Sequence, residues 1–130
     1  MKITPKKIQI LAKNQVFVFG SNLFGIHGRG AAKDALKWGA QYGNGVGLMG
    51  QTYAIPTKDG KLNVLPIETI KKYVDEFIEF AKIHTELIFL VTPIGCGLSN
   101  YKPEQISPLF KNCTNSNNVC LPEEFWVHLI

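Results

Sequence analysis

Hydrophobic positions along the chain fall into two periods. Val16-Phe17-Val18-Phe19 and Leu87-Ile88-Phe89-Leu90-Val91 are continuous apolar, β-prone runs, which predicts strands buried on both faces. Between them, Ile67, Ile70, Val74, Phe77 and Ala81 recur every three or four positions from Pro66 to about His84, while Lys71, Lys72, Asp75, Glu79 and Lys82 take the opposite side. That is the pattern of a long amphipathic helix. Ala31 to Trp38 predicts a helix stopped by Gly39, and Pro103 to Lys111 another. Thr4 followed by Pro5 predicts the capped start of a short helix toward Leu11. Tyr53 to Ile55 predicts a short strand ending at Pro56, Phe125 to Ile130 a last strand, and the polar run from Asn112 to Asn118 a surface loop. Strands separated by helices predict one α/β domain over residues 1–130, a three-layer α/β/α sandwich with a mixed, mainly parallel central sheet.

Composition narrows the picture. With 45% hydrophobic residues the chain can fill one core. The longest apolar run is far short of the ~20 residues that cross a bilayer, and the lysine-bearing N-terminus has no apolar stretch leading to a cleavage site. The expectation is a cytoplasmic protein with no membrane association. Cys96, Cys113 and Cys120 are an odd count, which argues for reduced thiols. Cys113 and Cys120 lack zinc-ligand spacing, so neither a metal nor a cofactor is implied. Oligomeric state has no signature in the chain. Charge is uneven: residues 1–58 hold eight Lys or Arg against Asp34 alone, and residues 59–130 hold six against nine acids. A basic half suits an anionic ligand, and it leaves open an alternative function as a nucleic-acid-binding module.

That basic half also holds nine of the twelve glycines, from Gly20 to Gly50. Glycine adds no packing, so such a density signals unusual dihedrals or close backbone approach. Gly20-Ser21-Asn22-Leu23 through Gly28-Arg29-Gly30-Ala31 leads from a strand into a helix, where exposed amides can face an anion. Pro93-Ile94-Gly95-Cys96-Gly97-Leu98-Ser99-Asn100 repeats that arrangement after a second strand. Ligands of parallel sheets lie beyond the carboxyl ends of the strands, so the two loops predict one cleft for a phosphate-bearing, nucleotide-like ligand.

Within the loops, several side chains have two readings each. Arg29, the only arginine, either grips phosphate oxygens or is held by a loop carbonyl. His27 serves either as an acid, base or phosphate donor, or as a structural hydrogen-bonder. Asn22 either meets a ribose hydroxyl or a water, or forms a turn. Cys96 is either a nucleophile with His27 as its base or a small residue lining the pocket. Lys58, beside Asp59-Gly60, is either a site lysine or a solvated strand end. Trp38, Tyr42 and Tyr53 either stack on a base or belong to the core and rim. Gly45-Val46-Gly47-Leu48-Met49-Gly50 fits G-x-G-x-x-G but precedes a strand instead of a helix, so it is no dinucleotide fingerprint.

At these residues the chain resembles the macrodomain family, whose members bind ADP-ribose and in some branches hydrolyse its derivatives. The segment from Gly20 to Ala35 is similar to that family's first ligand loop, and PIGCGLSN at 93–100 to its diphosphate loop. Tyr53-Ala54-Ile55-Pro56-Thr57-Lys58 and the helix from Pro66 resemble the branch that removes ADP-ribose from proteins or nucleic-acid bases. The resemblance implies a macrodomain-like fold. It implies ADP-ribose or a similar nucleotide as ligand, and ADP-ribosylated protein or nucleic acid as partner. It also implies Gly20, Ser21, Asn22, Leu23, Gly28, Arg29, Gly30, Ala31 and Ile94 to Asn100 as binding residues and Lys58 as the branch's lysine; with the readings of His27 and Asn22 above, the catalytic candidates are Lys58, His27 and Asn22. Two positions depart from the family pattern. Ser99 follows Gly95-Cys96-Gly97-Leu98 where the branch has an acid, and Thr4 to Leu11 is predicted helical where the family has an opening strand with an aspartate that reads adenine.

Overall fold

A computed structural model describes residues 1–130. Strand β1 (Gln15–Asn22) is followed by helix α1 (Gly30–Ala35), which tightens into a 3-10 turn over Leu36–Trp38. Then come β2 (Gly47–Met49), β3 (Thr52–Lys58), the long helix α2 (Ile67–Ile83) and β4 (Ile88–Val91). Helix α3 (Pro103–Ile106) runs into a 3-10 segment (Ser107–Cys113), and β5 (Val119–Cys120) and α4 (Glu123–Trp126) close the chain. The sheet order is β2-β3-β1-β4-β5; β2 is antiparallel to β3, and all other pairings are parallel. Helices cover both faces of this mixed, mostly parallel sheet. No helix is long and apolar enough to cross a membrane.

β1 is central because its side chains are apolar toward both faces. Val16 and Val18 join the larger core with Tyr53, Ile55, Phe89 and Val91, under α2 and the C-terminal helices. Phe17 and Phe19 point into a smaller core with Ala54, Met49 and the alanines of α1, where Trp38 packs 4.9 Å from the Phe17 ring. α2 buries Ile70, Val74, Phe77 and Ala81, as its periodicity predicts, and Ile78 besides, while Ile67 in its first turn is half-buried against the same core. Its exposed side carries the pairs Lys71–Asp75 and Lys82–Glu79, each contributing a few tenths of a kcal/mol at most.

Three expectations need correction. Thr4 to Leu11 is not helical: the Thr4 amide donates to the Leu121 carbonyl at 2.9 Å, and the Leu121 amide to Lys2 at 3.0 Å. The N-terminal segment thereby extends the sheet edge beyond β5 through an Ile3–Leu121 bridge. A helix this short gains little by itself, and pairing to an existing strand satisfies the same backbone groups. Phe125 to Ile130 is not a strand. Pro122 starts α4, acidic Glu123 and Glu124 occupy its first turn, and consecutive Phe125 and Trp126 are both buried, which strand alternation would not allow on one face. β3 does not end at Pro56 but runs to Lys58. β2 pairs with β3 only from Thr52 to Ala54, so the missing proline N–H removes no bond to β2. Strands β2 and β5, of three and two residues, are too short to carry a period in the sequence.

Phe77 sits against Tyr53, Phe89 and Phe110, with ring centroids 5.1, 5.4 and 6.3 Å away. Phe77→Ala is expected to cost about 3–5 kcal/mol in denaturant unfolding. Burial also raises the Tyr53 phenol from 10.0 to about 12, with Glu76 adding to the effect, and raises the Cys113 thiol from 9.0 to about 12. Both groups fold as neutral acids, so their contribution is full below about pH 9. It is expected to disappear as pH rises toward about 12, measurable as a falling melting temperature in that window.

Candidate functional site

β1, β3 and β4 run parallel, so their carboxyl ends share one edge of the sheet. The crossover after β1 (loop 1, residues 23–29) and the crossover after β4 (loop 2, residues 92–102) meet there. A side chain on Gly20 would lie 3.5 Å from the Gly95 amide, and one on Gly30 would lie 3.9 Å from Leu98 Cδ1. Between the loops is a cleft of about 290 Å³. It adjoins a wider cavity of about 800 Å³ under the N-terminal segment, which shares Gly30, Ala31, Thr92 and Pro93 with it.

Side-chain hydroxyls fasten the cleft floor. Thr92 Oγ1 donates to the Val18 carbonyl at 2.7 Å, holding the start of loop 2 against β1. Thr57 Oγ1 lies 2.8 Å from Ser99 Oγ and 3.4 Å from the Ser21 carbonyl, tying β3, loop 2 and β1 together. Loop 1 is packed from beneath by residues 43–45: Ser21 Oγ donates to the Gly45 carbonyl, and a Cβ on Gly45 would collide with the Asn22 carbonyl. Gly95, at φ +75°, takes a left-handed conformation that suits glycine, with Ile106 crowding the space beside it.

Most of the expected site residues line the cleft: Gly20, Ser21, Asn22, Gly28, Arg29, Gly30 and Ala31 from the first segment, Ile94, Gly95, Gly97, Leu98 and Ser99 from the second, and Lys58 between them. Four do not. Leu23 and Asn100 lie outside the lining. Cys96 packs its side chain against the larger core. Burial, reinforced by Glu124, pushes its thiol up to about 11, so it is not the activated nucleophile that one reading made it. His27 is wholly buried, with Nε2 between the carbonyls of Gln41 (2.8 Å) and Asn44 (3.0 Å) and its ring edge-on to Phe19. It braces loop 1 and does not reach the cleft. Asn22 lines the cleft with its carboxamide already engaged, Nδ2 donating to the Ile26 carbonyl at 2.8 Å and Oδ1 accepting from the Ile26 amide at 3.0 Å. One N–H and one lone pair remain for a ligand. Of the aromatics, Trp38 and Tyr53 belong to the cores, and Tyr42 donates to the His27 carbonyl; none lines the cleft.

Ile26, Thr57, Leu62 and Thr92 line the cleft without having been singled out in the sequence. Thr57 and Thr92 flank the strand ends already identified, so their place next to Lys58 and Pro93 was the available signal. Leu62 lies in a turn whose direction the sequence does not reveal.

Electrostatically the cleft is one-sided. Its charged lining groups are Arg29 and Lys58, no Asp or Glu lines it, and neither cation is held in a salt bridge. The backbone amides of residues 28–32, and of 95, 97, 98 and 99, donate to no protein acceptor. Free amides and unpaired cations around one concavity stabilise negative charge.

The glycine contacts give a paired test. Gly45→Ala, forced against the Asn22 carbonyl, is expected to destabilise the fold by roughly 1–3 kcal/mol. Gly97→Ala has open space within 4 Å and is expected to melt like the parent protein or slightly higher. Thermal denaturation of the two variants side by side checks both.

No family model matches the chain, and no curated protein does. Among solved structures it is similar to a protein of unknown function from Bacteroides thetaiotaomicron, with a TM-score of 0.62 at 17% identity, over 87% of this chain and 89% of the other. That likeness shows a shared fold.

Proposed function

We propose that the cleft binds ADP-ribose or a closely related nucleoside diphosphate. The observation that carries this reading is the convergence of two glycine-rich crossovers whose amides have no protein acceptor, beside two cations and no carboxylate. A diphosphate supplies the missing acceptors, and hydrogen bonds to its charged oxygens are worth about 1.5–3 kcal/mol each. The inner cleft suits the diphosphate and the sugar beyond it, while the adjoining cavity under the N-terminal segment has room for the nucleoside. The resemblance of Gly20 to Ala35 and of PIGCGLSN to the macrodomain ligand loops points the same way.

The lining limits the chemistry. It contains no carboxylate, imidazole or thiol; its titratable side chains are Lys58 and Arg29. Ser99, hydrogen-bonded to Thr57, stands where the resembling branch has an acid, and a hydroxyl is no general base near neutral pH. The geometry therefore supports binding first. Removal of ADP-ribose from a protein or base would rest on Lys58, whose amine is the one side-chain nucleophile of its kind in the cleft.

Titration calorimetry with ADP-ribose tests the reading. Saturable binding is expected, with Lys58→Ala weakening it about tenfold through loss of one charge-assisted contact. Absence of heat at millimolar ligand would overturn it. A nucleic-acid module would instead bind mixed-sequence DNA or RNA with affinity falling steeply as salt is raised.

A further inference from the structure

Residues 5–11, between the Ile3–Leu121 bridge and β1, are held at their two ends and almost nowhere between. At the near end the Thr4 amide donates to the Leu121 carbonyl at 2.9 Å, and the Lys2 carbonyl accepts from the Leu121 amide at 3.0 Å and from Trp126 Nε1 at 2.8 Å. At the far end Gln51 Nε2 donates to the Ala12 carbonyl at 2.8 Å, and the Ala12 amide donates to Gln15 Oε1 at 2.9 Å. Residues 5–11 themselves take part in no hydrogen bond and no ion pair. Only Ile8 and Leu11 pack inward, half-buried against the smaller core, while Pro5, Lys6, Lys7, Gln9 and Ile10 are exposed. A segment with no bonds between its anchors and two half-buried side chains is at the low-stability end of a fold, where local opening costs little.

The same segment is a wall of the larger cavity. Thr4 to Gln9 line its space of about 800 Å³ together with Ala31 and Asp34 of α1. The closed wall carries a cost of its own, since Thr4 Oγ1 is buried there without a hydrogen-bond partner. A molecule filling the cavity touches the segment only while the segment lies closed, so its binding shifts the balance toward closure.

Resting on the reading above, which puts a nucleoside in this cavity, we propose that residues 5–11 form a strap that lifts to admit the nucleoside and closes over it. Leu11 is the latch. It packs on the smaller core and lines neither cavity, so it acts on the ligand only through the strap. Lifting leaves the sheet intact, because the Ile3–Leu121 bridge and the Gln51 bonds to Ala12 and Gln15 lie outside the moving residues.

Limited trypsin digestion of the full chain, read by mass spectrometry with and without saturating ADP-ribose, tests the strap, with calorimetry reporting binding in parallel. In the free protein the bonds after Lys6 and Lys7 are expected to be cut before those after Lys71 and Lys72 in α2. Ligand is expected to slow the cuts after Lys6 and Lys7 roughly tenfold and to leave the cut after Lys111, which lines neither cavity, unchanged. Leu11→Ser is expected to melt near the parent temperature, to speed the strap cuts in the free protein, and to bind ADP-ribose about threefold more weakly, because fewer molecules hold the strap closed. The parent digestion decides without the variant, which adds the link to affinity. If calorimetry shows binding while the strap is cut equally fast with and without ligand, or Leu11→Ser keeps the parent's affinity, the strap is wrong and the binding reading stands. A free strap no easier to cut than α2 overturns the proposal as well. If ADP-ribose gives neither heat nor protection, the strap and the reading it rests on are both wrong.

Discussion

Parallel pairing of β1 with β3 on one side and β4 on the other is the constraint from which the site follows. Parallel neighbours cannot be joined by hairpins, so each strand must leave the sheet at its carboxyl end and return by a crossover. With β1 in the middle, its own crossover and that of β4 are forced side by side, and the end of β3 delivers Lys58 between them. The pairing is held by burial on both faces: Val16 and Val18 in the larger core, Phe17 and Phe19 in the smaller. A polar residue at any of these positions would leave one layer without its partner surface.

Upon that frame, backbone and hydroxyl contacts set the shape of the cleft, and its chemistry is defined by what has been kept out. Acids are on the exposed face of α2, in the turn at Asp59, and at Asp34 and Glu124, which line the adjoining cavity, but none lines the cleft itself. The one imidazole nearby is consumed as a brace between Phe19 and two carbonyls, and the one thiol in loop 2 is turned into the core. What remains facing the open space is peptide amide, guanidinium, ammonium and hydroxyl. That set suits holding an anion. It offers little for moving protons at neutral pH.

Sequence by itself determined the elements whose period or composition is strong: the apolar strands around Val16–Phe19 and Leu87–Val91, the helix carrying Ile70, Val74 and Phe77, and both glycine-rich crossovers. These are local, because alternation, helical spacing and glycine density act within one segment. Only tertiary structure decided the direction of individual side chains and the fate of weak segments. Thr4 to Leu11 and Phe125 to Ile130 took their states from partners distant in the chain, Leu121 for the first and the larger core for the second. His27 and Cys96 sit in the right loops yet face carbonyls and core, whereas Leu62, in a turn with no chemical signature, faces the cleft. A loop's composition shows that it approaches something; where each side chain of that loop points depends on which surfaces it meets once the sheet has closed.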